Sequence, residues 1–203
     1  FFAPLTDMRS LVPTNGEVKR LGSQALLDDP MAKQVKKIAE KYRFFHWYLE
    51  FPEVFAAGGF DVNLGNPPWE RIKLQEKEFF AAKDADVANA PTAAVRKKFI
   101  QRLSDTRSEL AKEYAEALRR SESESKFIRD SGRFLLTGVG DVNTYAIFAE
   151  LAQLLTRKNG RSGIVVPSGI ATDYTYKDFF AYLMEDGRLV SLYDFENREG
   201  LFQ

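Results

Sequence analysis

The chain is organised around a ten-residue run, Phe60-Asp61-Val62-Asn63-Leu64-Gly65-Asn66-Pro67-Pro68-Trp69. Its first half alternates apolar and polar side chains, which is the period of a pleated β-strand. Gly65 ends the strand, because a residue without a Cβ tolerates the turn that follows. Two prolines fix φ and remove two backbone donors, so we expect a rigid loop whose carbonyls face outward. In open α/β sheets, ligands bind where strands end in this way.

A loop of this composition suits methylation of a planar, conjugated amino group. The lone pair of such a group is delocalised, and acceptors placed against its hydrogens favour the form in which the pair is localised on nitrogen. The Asn66 side-chain oxygen and the Pro67 carbonyl are the candidate acceptors, and Pro68 holds the loop in shape. Trp69 offers a face on which an extruded base can stack.

These four residues also carry a family resemblance. Asn66-Pro67-Pro68-Trp69 resembles the (Asn/Asp)-Pro-Pro-(aromatic) catalytic motif of DNA methyltransferases that act on amino groups and use S-adenosylmethionine. The flanking runs FHWYLEFPEVF at 45–55 and SLYDFENREGLF at 191–202 look like those of large, single-chain, adenine-specific enzymes of restriction–modification and phage-defence systems. Serine commonly takes the first motif position in the cytosine amino-group enzymes, so Asn66 favours adenine.

The resemblance implies an α/β fold, namely a partial Rossmann-like doubly wound sheet of a class I methyltransferase with a long helical insertion. It also implies S-adenosylmethionine as cofactor, double-stranded DNA as partner and flipping of the target base. The donor would lie on a glycine-rich loop after an earlier strand, and no such pattern precedes Phe60; Gly138-Val139-Gly140 is too short a signal. We therefore expect the cofactor site to need the full-length protein, and the isolated chain to be inactive.

The chain is expected to contain four regions. They are an irregular and helical segment (1–58), the catalytic strand and loop (59–69), a helical insertion (70–131) and the rest of the α/β domain (132–203). Pattern and capping signals predict helices at 30–42, 70–83, 92–129 with one break, 145–155 and 175–185, with a loop at 84–91. Asn159-Gly160 is expected to close the fourth of these helices, and strands are predicted at 162–167 and 189–195.

Charge and composition exclude several classes of site. The chain has 29 Lys and Arg against 29 Asp and Glu, so it exerts no global attraction on nucleic acid. Arg71, Lys73 and Lys77 follow the motif and are candidates for contacts with DNA phosphates, although ordinary surface charge is an equal alternative. Without cysteine there is no disulfide, no thiolate metal site and no thiol nucleophile for methylation of a cytosine ring carbon. The single histidine, His46, is interpreted as structural, and we expect no metal.

No apolar stretch is long enough for a membrane span, and we expect a cytoplasmic protein of bacterial or archaeal type. A strand without all its neighbours would leave an exposed sheet edge, through which the chain could self-associate. Two alternative functions stay open. One is methylation of a glutamine side-chain amide in protein, and the other is a non-catalytic interaction module on a degenerate methylase fold.

Overall fold

A computed structural model of the chain describes residues 30–43, 45–185 and 187–196. These residues divide into two compact units, with the boundary between Ala56 and Ala57. The described part of the first unit contains helices α1 (Pro30–Tyr42), α2 (Trp47–Glu50) and α3 (Pro52–Ala56), so the predicted helix at 30–42 is confirmed. The His46 carbonyl accepts the backbone N–H groups of Leu49 and Glu50, both at 3.0 Å, and so begins α2.

The second unit holds the ten-residue run and everything that follows it. Its described elements, in chain order, are β1 (Phe60–Gly65), α4 (Glu76–Ala81), α5 (Ala85–Ala88), α6 (Ala93–Thr106), α7 (Ser108–Asp130), α8 (Thr144–Leu155), β2 (Thr156–Ile164), α9 (Gly169–Thr172), a 3₁₀ turn (Tyr174–Tyr176) and α10 (Lys177–Glu185). Among the described residues, no helix combines the length and the apolar character needed to cross a lipid bilayer.

The predicted strand at 60–65 is confirmed, and it pairs in parallel with β2. The register runs from Val62 opposite Arg161 to Gly65 opposite Ile164, whereas Phe60 lies opposite Thr156, so β2 bulges between these points. Gly160 lies in the bulge, where a Cβ would come within 2.7 Å of the Phe60 carbonyl oxygen. Only glycine fits there without a shift of backbone.

Two strand predictions need correction. The strand predicted at 162–167 begins at Thr156 and ends at Ile164, and none of its residues is buried. Helix α8 accordingly ends at Leu155 and not at Asn159-Gly160, because Thr156 is extended and pairs with Phe60 of β1. The strand predicted at 189–195 is not formed, since these residues pair with no strand in the described part of the chain. The described sheet thus has two strands, and a doubly wound sheet is not seen.

Residues 76–130, which we call the helical segment, form a core of their own. Phe80, Val87 and Leu103 are buried in it, and Tyr114 and other partly buried side chains pack against them. The break predicted within 92–129 falls at Arg107, between α6 and α7. The helix predicted at 70–83 begins only at Glu76, because Glu70 and Ile72 make backbone hydrogen bonds to Thr144 and Val142. The loop predicted at 84–91 contains α5, whose first N–H groups are capped by the Asp84 carboxylate.

Helix α8 is the centre of the rest of the unit. Tyr145 and Ala146 pack with Ile170, Tyr176 and Phe179. The opposite side of α8 carries Ile147, which packs with Ile128, Phe134 and Val142. The Glu150 carboxylate is buried and accepts three hydrogen bonds from residues 136–137, two of them from backbone N–H groups. This carboxylate fixes the turn at 134–138 against α8.

Candidate functional site

The segment from Gly65, the last residue of β1, to Ile72 is called the motif loop below. The loop begins where the Gly65 carbonyl accepts the backbone N–H of Val165 at 2.9 Å, one residue beyond the end of β2. The same Val165 presents its carbonyl to the Trp69 indole, whose Nε1–H donates to it at 3.3 Å. One residue of the neighbouring strand's extension therefore holds both ends of the turn from Gly65 to Trp69.

A second attachment lies at the N-terminus of α8. The Thr144 hydroxyl donates to the Pro68 carbonyl at 2.6 Å and accepts the Glu70 N–H at 2.9 Å. The Thr144 N–H donates to the Glu70 carbonyl at 2.9 Å. The Thr144 hydroxyl also lies 3.1 Å from that oxygen, but its one proton has the shorter contact with the Pro68 carbonyl. Pro68 and Glu70 are thereby fixed by three bonds to a single residue. The prediction that the carbonyls of the two prolines both face outward is wrong for Pro68, since Thr144 occupies that acceptor.

The contact between the motif loop and α8 continues as a short antiparallel ladder. Arg71 pairs with Asn143, and the Ile72 N–H donates to the Val142 carbonyl at 3.1 Å. The Asn143 side chain donates to the Tyr176 hydroxyl at 2.9 Å and to the Asp141 carbonyl at 3.1 Å, and the Tyr176 side chain is fully buried. This network ties the residue before Thr144 to a packed part of the core.

A hydroxyl on α7 repeats the Thr144 arrangement further along the chain. The Ser121 hydroxyl donates to the Ile72 carbonyl at 2.7 Å and accepts the Leu74 N–H at 2.9 Å. Thr144 and Ser121 thus each bind a carbonyl and the N–H two residues later. Together they fix the backbone from Pro68 to Leu74.

Asn66 and Pro67 lie between Gly65, which is bound to Val165, and Pro68, which is bound to Thr144, and their oxygen acceptors are free. In the described part of the chain, neither the Asn66 side chain nor the Pro67 carbonyl takes part in a hydrogen bond. Asn66 is exposed, Pro67 is half-buried, and the Trp69 ring is 53% exposed although its N–H is bound. The arrangement leaves two oxygen acceptors on a loop whose backbone is bound on both sides, close in sequence to an aromatic ring that is about half exposed.

Tyr145, the residue after Thr144, has its pKa raised to about 12, chiefly by burial and further by the neighbouring Tyr176. Its hydroxyl therefore keeps its proton at neutral pH. Tyr145 contributes packing and does not supply a base beside the motif loop.

The sequence matches the model of the Eco57I restriction-modification methylase family over residues 14–202. The chain belongs to this family. It is therefore placed among the DNA methyltransferases of restriction–modification systems, as the motif and its flanks predict. No match was found among curated proteins, and none was found among solved structures.

The methylase family generally uses S-adenosylmethionine. Gly138 and Gly140 do not line an open cradle, because a Cβ on Gly138 would meet the Phe134 carbonyl oxygen at 2.5 Å and one on Gly140 would meet Thr175 at 2.9 Å. These two glycines therefore allow close packing of the chain against itself. No group of three potential metal-ligating side chains occurs among the described residues.

The three cations predicted to contact DNA do not share one pocket in this methylase. Arg71 is exposed and pairs through its backbone with Asn143. Lys73 lines a cleft of about 510 Å³ beside α7, and Lys77 lines a different one of about 590 Å³. The first cleft is lined by as many acids as bases, namely Lys73, Lys126, Arg129, Glu122, Asp130 and Asp141. The formal charge of its lining is therefore zero.

Sequence reasoning missed Thr144 and Val165. Thr144 is separated from Pro68 by 76 residues, and Val165 from Trp69 by 96. Asn143 is the N-cap residue of α8, and no local signal marked Thr144 as a partner of the motif loop. Val165 acts through its backbone, so its residue type carried no signal at all.

Proposed function

We propose that the chain provides the catalytic loop of an adenine-specific DNA methyltransferase, which transfers a methyl group from S-adenosylmethionine to the exocyclic amino group of adenine. The observation that carries this proposal is the pair of free acceptors, the Asn66 side chain and the Pro67 carbonyl, on a loop fixed on both sides. The family assignment supports methylation of DNA, and the acceptor pair supports an amino group as its target.

In this proposal the loop binds the amino group and holds its geometry. Asn66 and Pro67 accept its two hydrogens, which concentrates the lone pair on nitrogen and stabilises the charge that develops there. Val165 and Thr144 already fix the backbone on either side of these acceptors, which limits the reorganisation of the loop during the reaction. Pro68 keeps the loop in shape, and Trp69 stacks on the base after it has left the helix.

The proposal extends to the fold and to the DNA. The parallel pairing of β1 and β2, with helices α4 to α8 between them in the chain, is consistent with part of a Rossmann-like doubly wound sheet. The four regions 1–58, 59–69, 70–131 and 132–203 are retained as its domain plan. Arg71, Lys73 and Lys77 remain candidate phosphate contacts, and a role in host protection or phage defence and a cytoplasmic location follow if the enzyme methylates cellular DNA.

The test uses the full natural chain that contains these residues, unmethylated DNA and S-adenosylmethionine, with nucleosides identified by mass spectrometry. We expect methyladenine from the wild type and a loss of at least about 100-fold in Asn66→Ala, as for removal of one oriented group in other active sites. Asn89→Ala, an exposed residue at the end of α5, is the matched control and should keep full activity. Methylcytosine as the product would contradict adenine specificity.

The alternative functions predict other products. Methylated glutamine in a protein substrate, lost in Asn66→Ala, would replace DNA by protein as the substrate. A binding function that Asn66→Ala leaves intact, with no methylated product of either kind, would indicate an interaction module.

A further inference from the structure

We propose that Thr144 is a positioning residue for methyl transfer, acting through the motif loop without touching the base. This inference rests on the proposed function and concerns a residue that the motif itself does not contain. Its starting point is that Thr144 binds the loop directly after the acceptors, by its hydroxyl to Pro68 and Glu70 and by its N–H to Glu70.

The Thr144 hydroxyl acts both as a donor and as an acceptor in this contact. A threonine hydroxyl has one proton to donate and lone pairs to accept, and here it donates to the Pro68 carbonyl and accepts from the Glu70 N–H. Valine has nearly the same shape but can do neither. In Thr144→Val the Pro68 carbonyl and the Glu70 N–H both lose their partner, whereas Thr144→Ser keeps both bonds.

The contact also selects which carbonyl is free. The two prolines present consecutive carbonyls, and Thr144 binds that of Pro68 while the Pro67 carbonyl takes part in no bond among the described residues. Rotation of the peptide unit between Pro67 and Pro68 would change the direction of the acceptor that meets the amino group. The Thr144 hydroxyl opposes that rotation, because it donates to the next carbonyl along the chain, that of Pro68, with 2.6 Å between the two oxygens.

Position along the loop separates this role from general structural support. Ser121 makes the same pair of bonds, to Ile72 and Leu74, but does so four residues further from the acceptors. If Thr144 acts by orienting the Pro67 carbonyl, its loss should impair the chemical step, and the loss of Ser121 should not. If both hydroxyls only hold the segment down, the two losses should have equal effects.

The test compares Thr144→Val, Thr144→Ser and Ser121→Ala in the full natural chain, measuring kcat and the KM for DNA. We expect Thr144→Val to lower kcat by about 10- to 100-fold, as small displacements in a reacting geometry do, with KM changed less than about threefold. The kcat of Thr144→Ser should lie within about threefold of the wild-type value, and so should the kcat of Ser121→Ala.

Each other outcome has a meaning. An unchanged kcat in Thr144→Val, or an equal loss in Ser121→Ala, overturns the positioning role while leaving the proposed function intact. A wild type that methylates nothing overturns the proposed function and the role together. If Thr144→Val does not fold, Thr144→Ser and Thr144→Ala are compared at a temperature where both are folded, and equal kcat values in that pair overturn the role.

A direct readout of the contact does not depend on activity. Hydrogen exchange of the Glu70 amide should speed up about tenfold in Thr144→Val, because its acceptor is removed, and should stay slow in Thr144→Ser. An unchanged exchange rate in Thr144→Val would show that the bond does not hold the loop, and it would overturn the inference even where kcat falls.

Discussion

Apolar side chains are buried in the helical segment and exposed at the motif loop. In the helical segment Phe80 is fully buried and Leu103 is 4% exposed. Next to the motif loop, Leu64, Trp69 and Val165 are 76%, 53% and 58% exposed. The first region gains its order from a closed core, and the second gains it from hydrogen bonds to distant backbone and hydroxyl groups. Substitutions should therefore affect folding in one region and chemistry in the other.

The largest effect on stability is expected from Phe80→Ala. Removing a fully buried phenylalanine side chain leaves a cavity in the helical segment, and such changes cost about 3–5 kcal/mol of unfolding free energy. Urea titration measures the loss. Phe148→Ala on α8, whose side chain is 43% exposed, should cost about 1 kcal/mol.

Hydrogen exchange resolved by segment sharpens the contrast for the same variant. Protection in Phe80→Ala should fall across α4 to α7 and remain at the Val165 amide, which is bound to Gly65. A uniform fall in both places would show that the core of the helical segment also supports the motif loop.

Trp69 should show an intermediate effect, on binding and not on folding. If its exposed ring stacks on the flipped base, Trp69→Ala should weaken binding of DNA by about 1–3 kcal/mol, the range for a base stacked on an aromatic ring. Trp69→Phe keeps a ring but loses the bond to the Val165 carbonyl, and should retain most of the affinity. Fluorescence anisotropy with a short duplex measures both, and equal losses in the two variants would assign the effect to the hydrogen bond.

The smallest effect is a pH dependence within the helical segment. Burial and the hydrogen bond from its hydroxyl to Glu76 raise the pKa of Tyr114 from 10.0 to about 12. Above pH 10 the unfolded chain loses this proton and the folded chain keeps it, so stability falls as the pH rises from 10 to about 12. Below pH 10 the contribution is complete.

Urea midpoints at pH 8 and pH 11 check this prediction. Tyr114→Phe should reduce the alkaline loss, and Tyr145→Phe should remove a further part, since the pKa of Tyr145 is also raised to about 12. Identical pH dependence in the wild type and both variants would contradict the assignment.

The two regions also differ in how far the sequence predicts them. Apolar residues at helical spacing, such as Phe99, Leu103 and Tyr114, predicted α6 and α7, because a helix makes its backbone bonds within itself. A strand also needs a partner, which a local pattern does not report. The pattern at 189–195 therefore indicated a strand, although the structure does not form one there. The break at Arg107 was predicted only as a break, without its position.

The candidate site was predictable in its chemistry and not in its support. Asn66 and Pro67 were identified from a local motif, and their roles remain predictions. Thr144 reaches the loop across 76 residues, and no local pattern marks such a contact. The buried Glu150 was missed for the same reason, since its partners lie in a turn 13 and 14 residues earlier.

The main-chain contacts of Val165 determine how the protein would respond to systematic substitution at this position. Both of its contacts with the motif loop use main-chain atoms, the N–H to Gly65 and the carbonyl to Trp69, while its side chain is largely in water. A scan with nineteen alternatives would score nearly all of them as tolerated, and only proline removes the N–H. A position can thus be indifferent to residue type and still be one on which the enzyme depends.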